Sequence, residues 1–495
     1  MKLVDLLDIK KQLYLSIDGD ISNIEIASLS QDSRNIGEKC LFFCVSGKQV
    51  DGHIFAKKAQ DKGAVCVVAE KKIVLDVPVI YVNSVVKTMA FLAMRFYHNP
   101  SFALPIVAVT GTNGKTTTTY LVRYLLQTLH GSCGMIGTNG IWYNHEHIYS
   151  PNTTPDALTM QKYLRKMVDD GQKFCAAEVS SHALVMGRVK NISFQVAVFT
   201  NLTHEHLETH HTMSEYCMAK SLLFAQLGSG NENKVAILNK DDHYASIIAN
   251  RCNANIWYYS TKDKRANFYA KDIIYSVDKT IFTLVFQNKE YQVEIPLIGE
   301  FNVANTLAAL AAYYALQRNL DEAIAILPQF PGVAGRMEKV ENNLGINAIV
   351  DFAHTPDGLK KAMQALRRIK HKRIITMIGH DGGNRDPSIR SSLGRIALEH
   401  SDYVIFTSEN PRNEDPLKIM QAMVADTQKQ NYEFIVDRKE AIFKVVSLAH
   451  KGDILFFTGK GYEAYQLIND QKIPFNEVQY VKEALMQKEH AEMAK

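Results

Sequence analysis

Val107-Ala108-Val109-Thr110-Gly111-Thr112-Asn113-Gly114-Lys115-Thr116-Thr117-Thr118-Thr119 is the stretch that decides the fold. The apolar run 105–109 reads as a buried strand, two glycines turn the chain, and 116–126 reads as a helix. Strand, Gly-rich loop and helix in that order make a phosphate-binding unit. Successive backbone N–H groups and a helix N-terminus cradle an anion, and glycine lets the backbone approach it. Gly111, Thr112, Asn113, Gly114, Lys115, Thr116 and Thr117 are therefore the expected contacts to ATP. Lys115 reaches the β- and γ-phosphates, and the Thr116 hydroxyl is set to hold Mg²⁺. The loop is shorter than G-x-x-x-x-G-K-[ST], since Val109 stands where that pattern begins with glycine. An ordinary Gly-rich turn between strand and helix is the alternative.

The chain around this stretch has 495 residues, too many for one core, so several domains are expected. With 46% hydrophobic and 22% charged residues it has the composition of a soluble globular protein. A net charge of +4 is small for this length and argues against nucleic acid as a partner. The seven cysteines are odd in number, several sit in apolar runs, and none forms C-x-x-C. They read as reduced core thiols of a cytoplasmic protein. The absence of a long apolar run argues against membrane insertion.

Three α/β domains are expected: 1–100, 101–333 and 334–495. In the first, β-like runs at 40–45, 64–69 and 77–82 alternate with helical stretches at 53–62 and 88–97. The second carries the phosphate loop in a doubly wound, mostly parallel sheet, with its site at the carboxyl ends of the strands. Downstream, Phe174-Cys175-Ala176-Ala177-Glu178 is an apolar strand ending on an acid. After a phosphate loop, such a carboxylate is the expected Mg²⁺ ligand. Residues 204–211, His-Glu-His-Leu-Glu-Thr-His-His, do not fit H-E-x-x-H. His206 and His210 would share one face of a helix. Lys220 lies among apolar residues on an expected helix, where a lysine ordinarily snorkels to solvent. Asn302 and Asn305, near the start of a long apolar helix, either reach a base or cap the helix. Asp351 ends another strand and suits ribose hydroxyls. Arg385, in the Gly-rich turn after 374–379, suits a carboxylate.

The short loop Thr-Gly-Thr-Asn-Gly-Lys-Thr resembles that of the Mur ligases, which join amino acids to peptidoglycan precursors at the expense of ATP. Further segments from Ser33 to Glu463 follow in that family's order, so the resemblance spans nearly the whole chain. It implies that Ser33 and Lys48, Gln49 and Val50 hold the uridine diphosphate end of the substrate. Thr153 and Thr154, in Pro151-Asn152-Thr153-Thr154-Pro155, contact the muramoyl peptide, as do Ser180 and Arg188. Lys115, Glu178, His206 and Lys220 form the catalytic set. His206 serves a second Mg²⁺, and Lys220 is carbamylated by CO₂ to help hold it. Arg336, Asp351 and His354 close over ATP. Glu409-Asn410-Pro411-Arg412 is similar to the Asp-Asn-Pro-Arg of members that add meso-diaminopimelate, whose far carboxylate Arg412 pairs. Gly459 and Glu463 contact the α-amino end of that amino acid.

The expected reaction is ATP-dependent addition of a diamino acid to UDP-MurNAc-L-Ala-D-Glu through an acyl phosphate, by a monomer. This chain departs from the family at 204–211, at Glu409, at Tyr462 (where histidine is usual) and at 380–386, a turn one residue longer than Gly-x-Gly-Gly-x-Arg-Asp. These departures leave open the same chemistry on L-lysine or another amine. A nucleotide-binding switch or scaffold without ligase activity is the other alternative. Mere binding would not require Glu178, Lys220 and Arg385 together.

Overall fold

The computed structural model describes residues 1–7, 14–47, 50–228, 233–316, 319–383, 385–469 and 471–493. Lys48 and Gln49 lie outside the described residues. Strand Ile106–Thr110 sits inside an 11-stranded sheet. Parallel pairing runs from Gly134–Gly137 through Cys175–Glu178, Ile106–Thr110, Val196–Phe199, Val235–Asn239 and Asn255–Ser260 to Phe268–Tyr275. Antiparallel strands finish both ends.

Alternation along the central strand explains its unbroken apolar run. Val107 and Val109 enter one core with Leu121, Leu125, Val303 and Leu307. Ile106 and Ala108 enter the opposite core with Leu164, Tyr216 and Phe224. Helices cover both faces, so neither set of side chains is free to be polar. The helix after the loop runs Lys115–His130, longer than 116–126. It stops at Gly131, whose φ of +89° only glycine adopts readily; its N–H caps Gln127 O.

The first part of the chain forms a 5-stranded sheet, parallel except for edge strand Ser16–Asp18. The helix expected at 53–62 divides into a 3₁₀ turn, Gly52–Phe55, and Ala56–Asp61, because the Asp51 carboxylate caps the tighter turn at His53 N–H. The last part forms a 6-stranded sheet in which Asn347–Asp351, Ile454–Thr458, Ile374–Ile378, Tyr403–Phe406 and Tyr432–Phe434 run parallel. The segments after Asp351, Ile378, Phe406 and Thr458 therefore emerge at one end of that sheet. This topology brings 352–357, 379–386, 407–412 and 459–463 together.

The cysteines are free thiols, all buried except half-buried Cys252. Burial pushes Cys44 and Cys66 up to about 12, so they stay protonated. Among the described residues no helix is long and apolar enough to cross a membrane.

One ion pair between the first residues of helices Arg438–Leu448 and Glu477–Met493 has no exposed surface. Arg438 Nε and Nη2 donate to Glu477 Oε2 and Oε1 at 2.6 and 2.8 Å, and Nη2 also reaches Thr458 O at 3.0 Å. Removing one partner strands a buried charge, which costs about 3–5 kcal/mol. Glu477→Ala is expected to lower the urea midpoint of this region markedly while leaving the secondary structure intact at zero urea. An unchanged midpoint would remove the pair from the stability account.

Candidate active site

The phosphate loop is held by the end of the neighbouring strand. Asn113 N–H donates to Asn201 Oδ1 at 2.9 Å, Asn201 Nδ2 to Asn113 O at 3.0 Å, and Thr200 Oγ1 to Asn113 O at 2.6 Å. Gly111 and Gly114 have φ of +150° and +86°, and a Cβ at either would collide, with Thr200 Oγ1 and Asn305 Oδ1 respectively. Lys115 opens the helix and donates to Gly111 O at 3.0 Å and Thr112 O at 2.8 Å. Desolvation pushes its ammonium below the usual lysine range, and Glu205 and Glu178 counter that push.

Thr116 Oγ1 donates to Glu178 Oε2 at 3.0 Å. Thr138 fixes the same carboxylate, through its N–H to Oε1 at 2.9 Å and its Oγ1 to Oε2 at 3.0 Å. The parallel register that sets Glu178 opposite Val109 places this acid beside the loop. A hydroxyl and a carboxylate at the loop's helix end are hard oxygen donors. They fit Mg²⁺, which takes one or two carboxylates and completes its shell with substrate phosphates and water. Among the described residues no group of three or more His, Cys, Asp or Glu side chains is gathered to hold a metal without such a substrate.

The histidine-rich segment differs from its expected form. Helix there is one turn, Leu207–His210, and His206 precedes it at φ +60°. His206 and His210 therefore do not share a helical face. His210 Nε2 lies 2.9 Å from Ser181 Oγ, and its ring stacks on Tyr216. His206 lies near Glu205 and Glu208, at 3.7 and 3.6 Å. Glu205 also lies 3.8 Å from His354 of the last domain. Burial pushes its carboxyl up, but His206, His354, Lys115 and Lys220 together outweigh that and hold it below the usual range. Lys220 does not snorkel. Its Nζ is buried, donates to Gly111 O at 2.8 Å and lies 4.6 Å from the Tyr216 ring centre. Burial, then Lys115, pushes its amine well below the ordinary lysine value.

Across the cleft, Asp351 accepts from Met337 N at 2.7 Å and Ala353 N at 2.8 Å, and burial raises its carboxyl. Arg336 lies over the Phe352 ring, 4.6 Å from its centre. Its Nε is buried without a partner among the described residues. Asn113 Nδ2 donates to Asp357 Oδ2 at 3.2 Å, tying the phosphate loop to the last domain. Asn302 Nδ2 donates to Ile298 O at 2.9 Å, and Asn305 Nδ2 to Asn302 Oδ1 at 3.0 Å.

One cleft of about 1250 Å³ joins these elements. Thr112–Thr117, Glu178, His206, Asn302, Arg336, Asp351 and His354 line it, as do Thr153, Arg385 and Glu463. Other expected contacts lie behind its wall. Thr154 is fully buried, donating to Glu178 O at 2.8 Å and accepting from Ser180 N at 3.0 Å. Ser180 Oγ caps Ala183 N–H, and Arg188 Nη1 donates to Thr154 O at 2.9 Å. Ser33 and Val50 belong to the first sheet's domain, which contributes no residue to this cleft.

Deeper in the last domain, Lys460 Nζ donates to Asn410 Oδ1 at 2.9 Å and to the Glu463 carboxylate. Asn410 Nδ2 donates to Glu463 Oε2 at 3.1 Å. Glu409 is buried against Gly459, where a side chain would press on its carboxylate. Burial, then Asp381, pushes Glu409 up to about 8. Arg412 takes φ +53°, and its backbone bonds to Leu467 O and Asn469 N at 3.0 Å each. Sequence reasoning missed Thr138, Glu205 and Asp381. Nothing near Thr138 marks it, whereas Glu205 and Asp381 stand at departures that had drawn notice for other residues.

The sequence patterns of three Mur ligase units match in order: the Mur ligase family catalytic domain over residues 25–96, the middle domain over 109–313, and the glutamate ligase domain over 335–461. The UDP-N-acetylmuramoyl-L-alanyl-D-glutamate–2,6-diaminopimelate ligase of Bacillus cereus is 41% identical over 466 residues, 94% of each chain. That of Geobacillus kaustophilus is 40% identical over 482 residues, 96% of this chain and 98% of the other. A solved structure of a ligase with that name aligns over 99% of both chains at TM-score 0.72 and 31% identity. The MurF ligase of Thermotoga maritima in complex with ADP shares the fold, at TM-score 0.66 and 21% identity over 93% of this chain and 98% of the other.

Proposed function

The chain belongs to the Mur ligase family, and on that premise we propose that it joins 2,6-diaminopimelate to UDP-N-acetylmuramoyl-L-alanyl-D-glutamate at the expense of ATP, in peptidoglycan precursor synthesis. The observation that carries this reading is the single cleft that opens both on the loop of Lys115 and on Arg385 and Glu463. A nucleotide at one end and an amino acid at the other is what such a ligase needs, and the likeness to diaminopimelate-adding ligases over nine-tenths of the chain supports the reading.

The γ-phosphoryl group of ATP passes to the D-glutamate carboxylate and gives an acyl phosphate. The amine of the amino acid attacks that carbonyl carbon, and inorganic phosphate leaves. Lys115 stabilises charge on the transferring group. Thr116 and Glu178 would hold Mg²⁺, with His206 and a carbamylated Lys220 serving a second ion. When bound, Mg²⁺ neutralises charge on the phosphoryl oxygens. Arg336, Asp351 and His354 enclose the nucleotide from the last domain. Ser33, Val50 and Thr153 bind the UDP-peptide, with Ser180, Arg188 and buried Thr154 shaping its loop. Arg412 pairs with the far carboxylate of the acceptor. A cytoplasmic monomer completes the proposal.

Phosphate release with ATP, Mg²⁺ and UDP-MurNAc-L-Ala-D-Glu tests it, with meso-diaminopimelate, L-lysine or L-ornithine in parallel. Release with diaminopimelate alone is expected. Release with lysine alone would keep the ligase and discard the role of Arg412; silence with all three would discard the acceptor class.

A further inference from the structure

The turn 379–383 follows the strand Ile374–Ile378. The turn is packed hard onto the segment that holds Arg412. A side chain at Gly379 would meet Thr407 O at 2.6 Å, one at Gly382 would collide with Pro411 O, and one at Gly383 would meet Arg412 Cδ at 3.0 Å. Gly382 N–H donates to Asn410 O at 2.9 Å. Arg390, buried and paired twice with Glu414 at 2.6 and 2.8 Å, reaches Asp381 O at 3.3 Å. The backbone of Asp381 is thereby fixed.

Its carboxylate sits between two guanidinium groups. Oδ2 accepts from Arg385 Nε at 3.1 Å and lies 3.8 Å from Arg412 Nη2. Oδ1 is buried and has no hydrogen-bond partner among the described residues. Two neighbours share that condition, Glu409 Oε2 and Arg412 Nε. The orphaned acceptor of Asp381 and the orphaned donor of Arg412 thus belong to side chains 3.8 Å apart, and Glu409 is near enough to feel the Asp381 charge. A buried polar atom without a partner is costly and rare, and a cluster of both signs points to a ligand that supplies both. An ammonium answers the Asp381 carboxylate and a carboxylate answers the Arg412 guanidinium. The far end of 2,6-diaminopimelate carries both groups on one carbon.

We propose that Asp381 is a specificity-determining residue of the acceptor pocket, its carboxylate taking the far ammonium of the acceptor while Arg412 takes the far carboxylate. This rests on the ligase reading above. The enzyme therefore selects an acceptor whose far end is a whole amino-acid group. L-Lysine offers the ammonium alone, and 2-aminopimelate offers the carboxylate alone.

The test is the steady-state kinetics of the full chain with meso-diaminopimelate, L-lysine and 2-aminopimelate, for wild type, Asp381→Asn and Asp381→Ser. Losing a hydrogen bond to a charged group predicts a KM for diaminopimelate raised about 10- to 100-fold in both variants. The KM for 2-aminopimelate and for ATP is expected to stay within about twofold, because neither ligand places an ammonium there. In wild type, 2-aminopimelate is expected to be the poorer acceptor by a similar factor, a comparison that needs no variant to fold. Equal KM changes for both acceptors would mark a general distortion of the turn and overturn the proposal. So would unchanged discrimination, or wild-type indifference to the missing amine. No wild-type turnover with diaminopimelate would instead overturn the acceptor assignment, and this proposal with it.

Discussion

Lys115→Ala is expected to lower kcat by about 10²–10³-fold, the effect of removing one preorganised donor from a developing anion. The ammonium lies over the carbonyls of Gly111 and Thr112, in the loop that the end of the neighbouring strand holds. In phosphoryl transfer the protein contributes position and charge rather than covalent chemistry. A cation that meets the γ-phosphoryl as charge spreads over its oxygens acts more on the transition state than on bound ATP. The loss therefore falls on kcat, with a smaller change in the KM for ATP. Arginine should not restore the rate, because its planar fork does not fit the space of a compact ammonium held by two carbonyls. A variant keeping more than a tenth of wild-type kcat would show that this loop does not handle the transferred group.

Lys220→Arg is expected to be nearly as damaging, for a different reason. Burial and the neighbouring Lys115 hold the Lys220 amine well below its ordinary value, which leaves it able to react as the neutral amine. A neutral amine adds to CO₂, forming an N–C bond and releasing a proton, and becomes an anion. Arginine stays charged and cannot form this adduct. Without the anion, one of the two groups that would hold a second Mg²⁺ is lost, and kcat should fall by roughly 10²-fold or more. Arginine would also bury an unpaired charge, so a thermal melt must accompany the rate. Carbon NMR of wild type equilibrated with ¹³C-labelled bicarbonate gives a second, activity-free readout. A carbamate resonance is expected in wild type and not in Lys220→Arg. Full activity of the variant, or no such resonance in wild type, would discard the modification.

The loop of Lys115 and its flanking strand and helix were legible because they are local. Eleven consecutive positions, 105–115, carry the apolar run, the two glycines and the lysine, so their reading needs no distant residue. The strands ending on Glu178 and Asp351 were legible for the same reason. The histidine-rich segment was not. Its i, i+4 spacing suggested one helical face, yet His206 takes a left-handed backbone conformation and the helix begins only after it. Thr154 illustrates a second kind of miss. The resemblance gives both Thr153 and Thr154 to the substrate, but which of two adjacent threonines faces the cleft depends on the turn's path. The hydroxyl of Thr154 is spent on Glu178 O and Ser180 N.

By itself the sequence determined an α/β chain with a short phosphate loop and a strand-end carboxylate, since each depends on neighbours within a few residues, while the ligase reading drew on the resemblance along nearly the whole chain. Tertiary structure decided which charges meet. Asn113 and Asp357 are 244 positions apart, and Arg438 and Glu477 are 39 apart. Asp381 meets Arg412 because two strands lie side by side in one sheet. Periodicity tells which face of an element is apolar; it carries no information on which distant charge the closed sheet will set opposite. That choice, made by strand order and the packing of glycine turns, sets Asp381 beside Arg412.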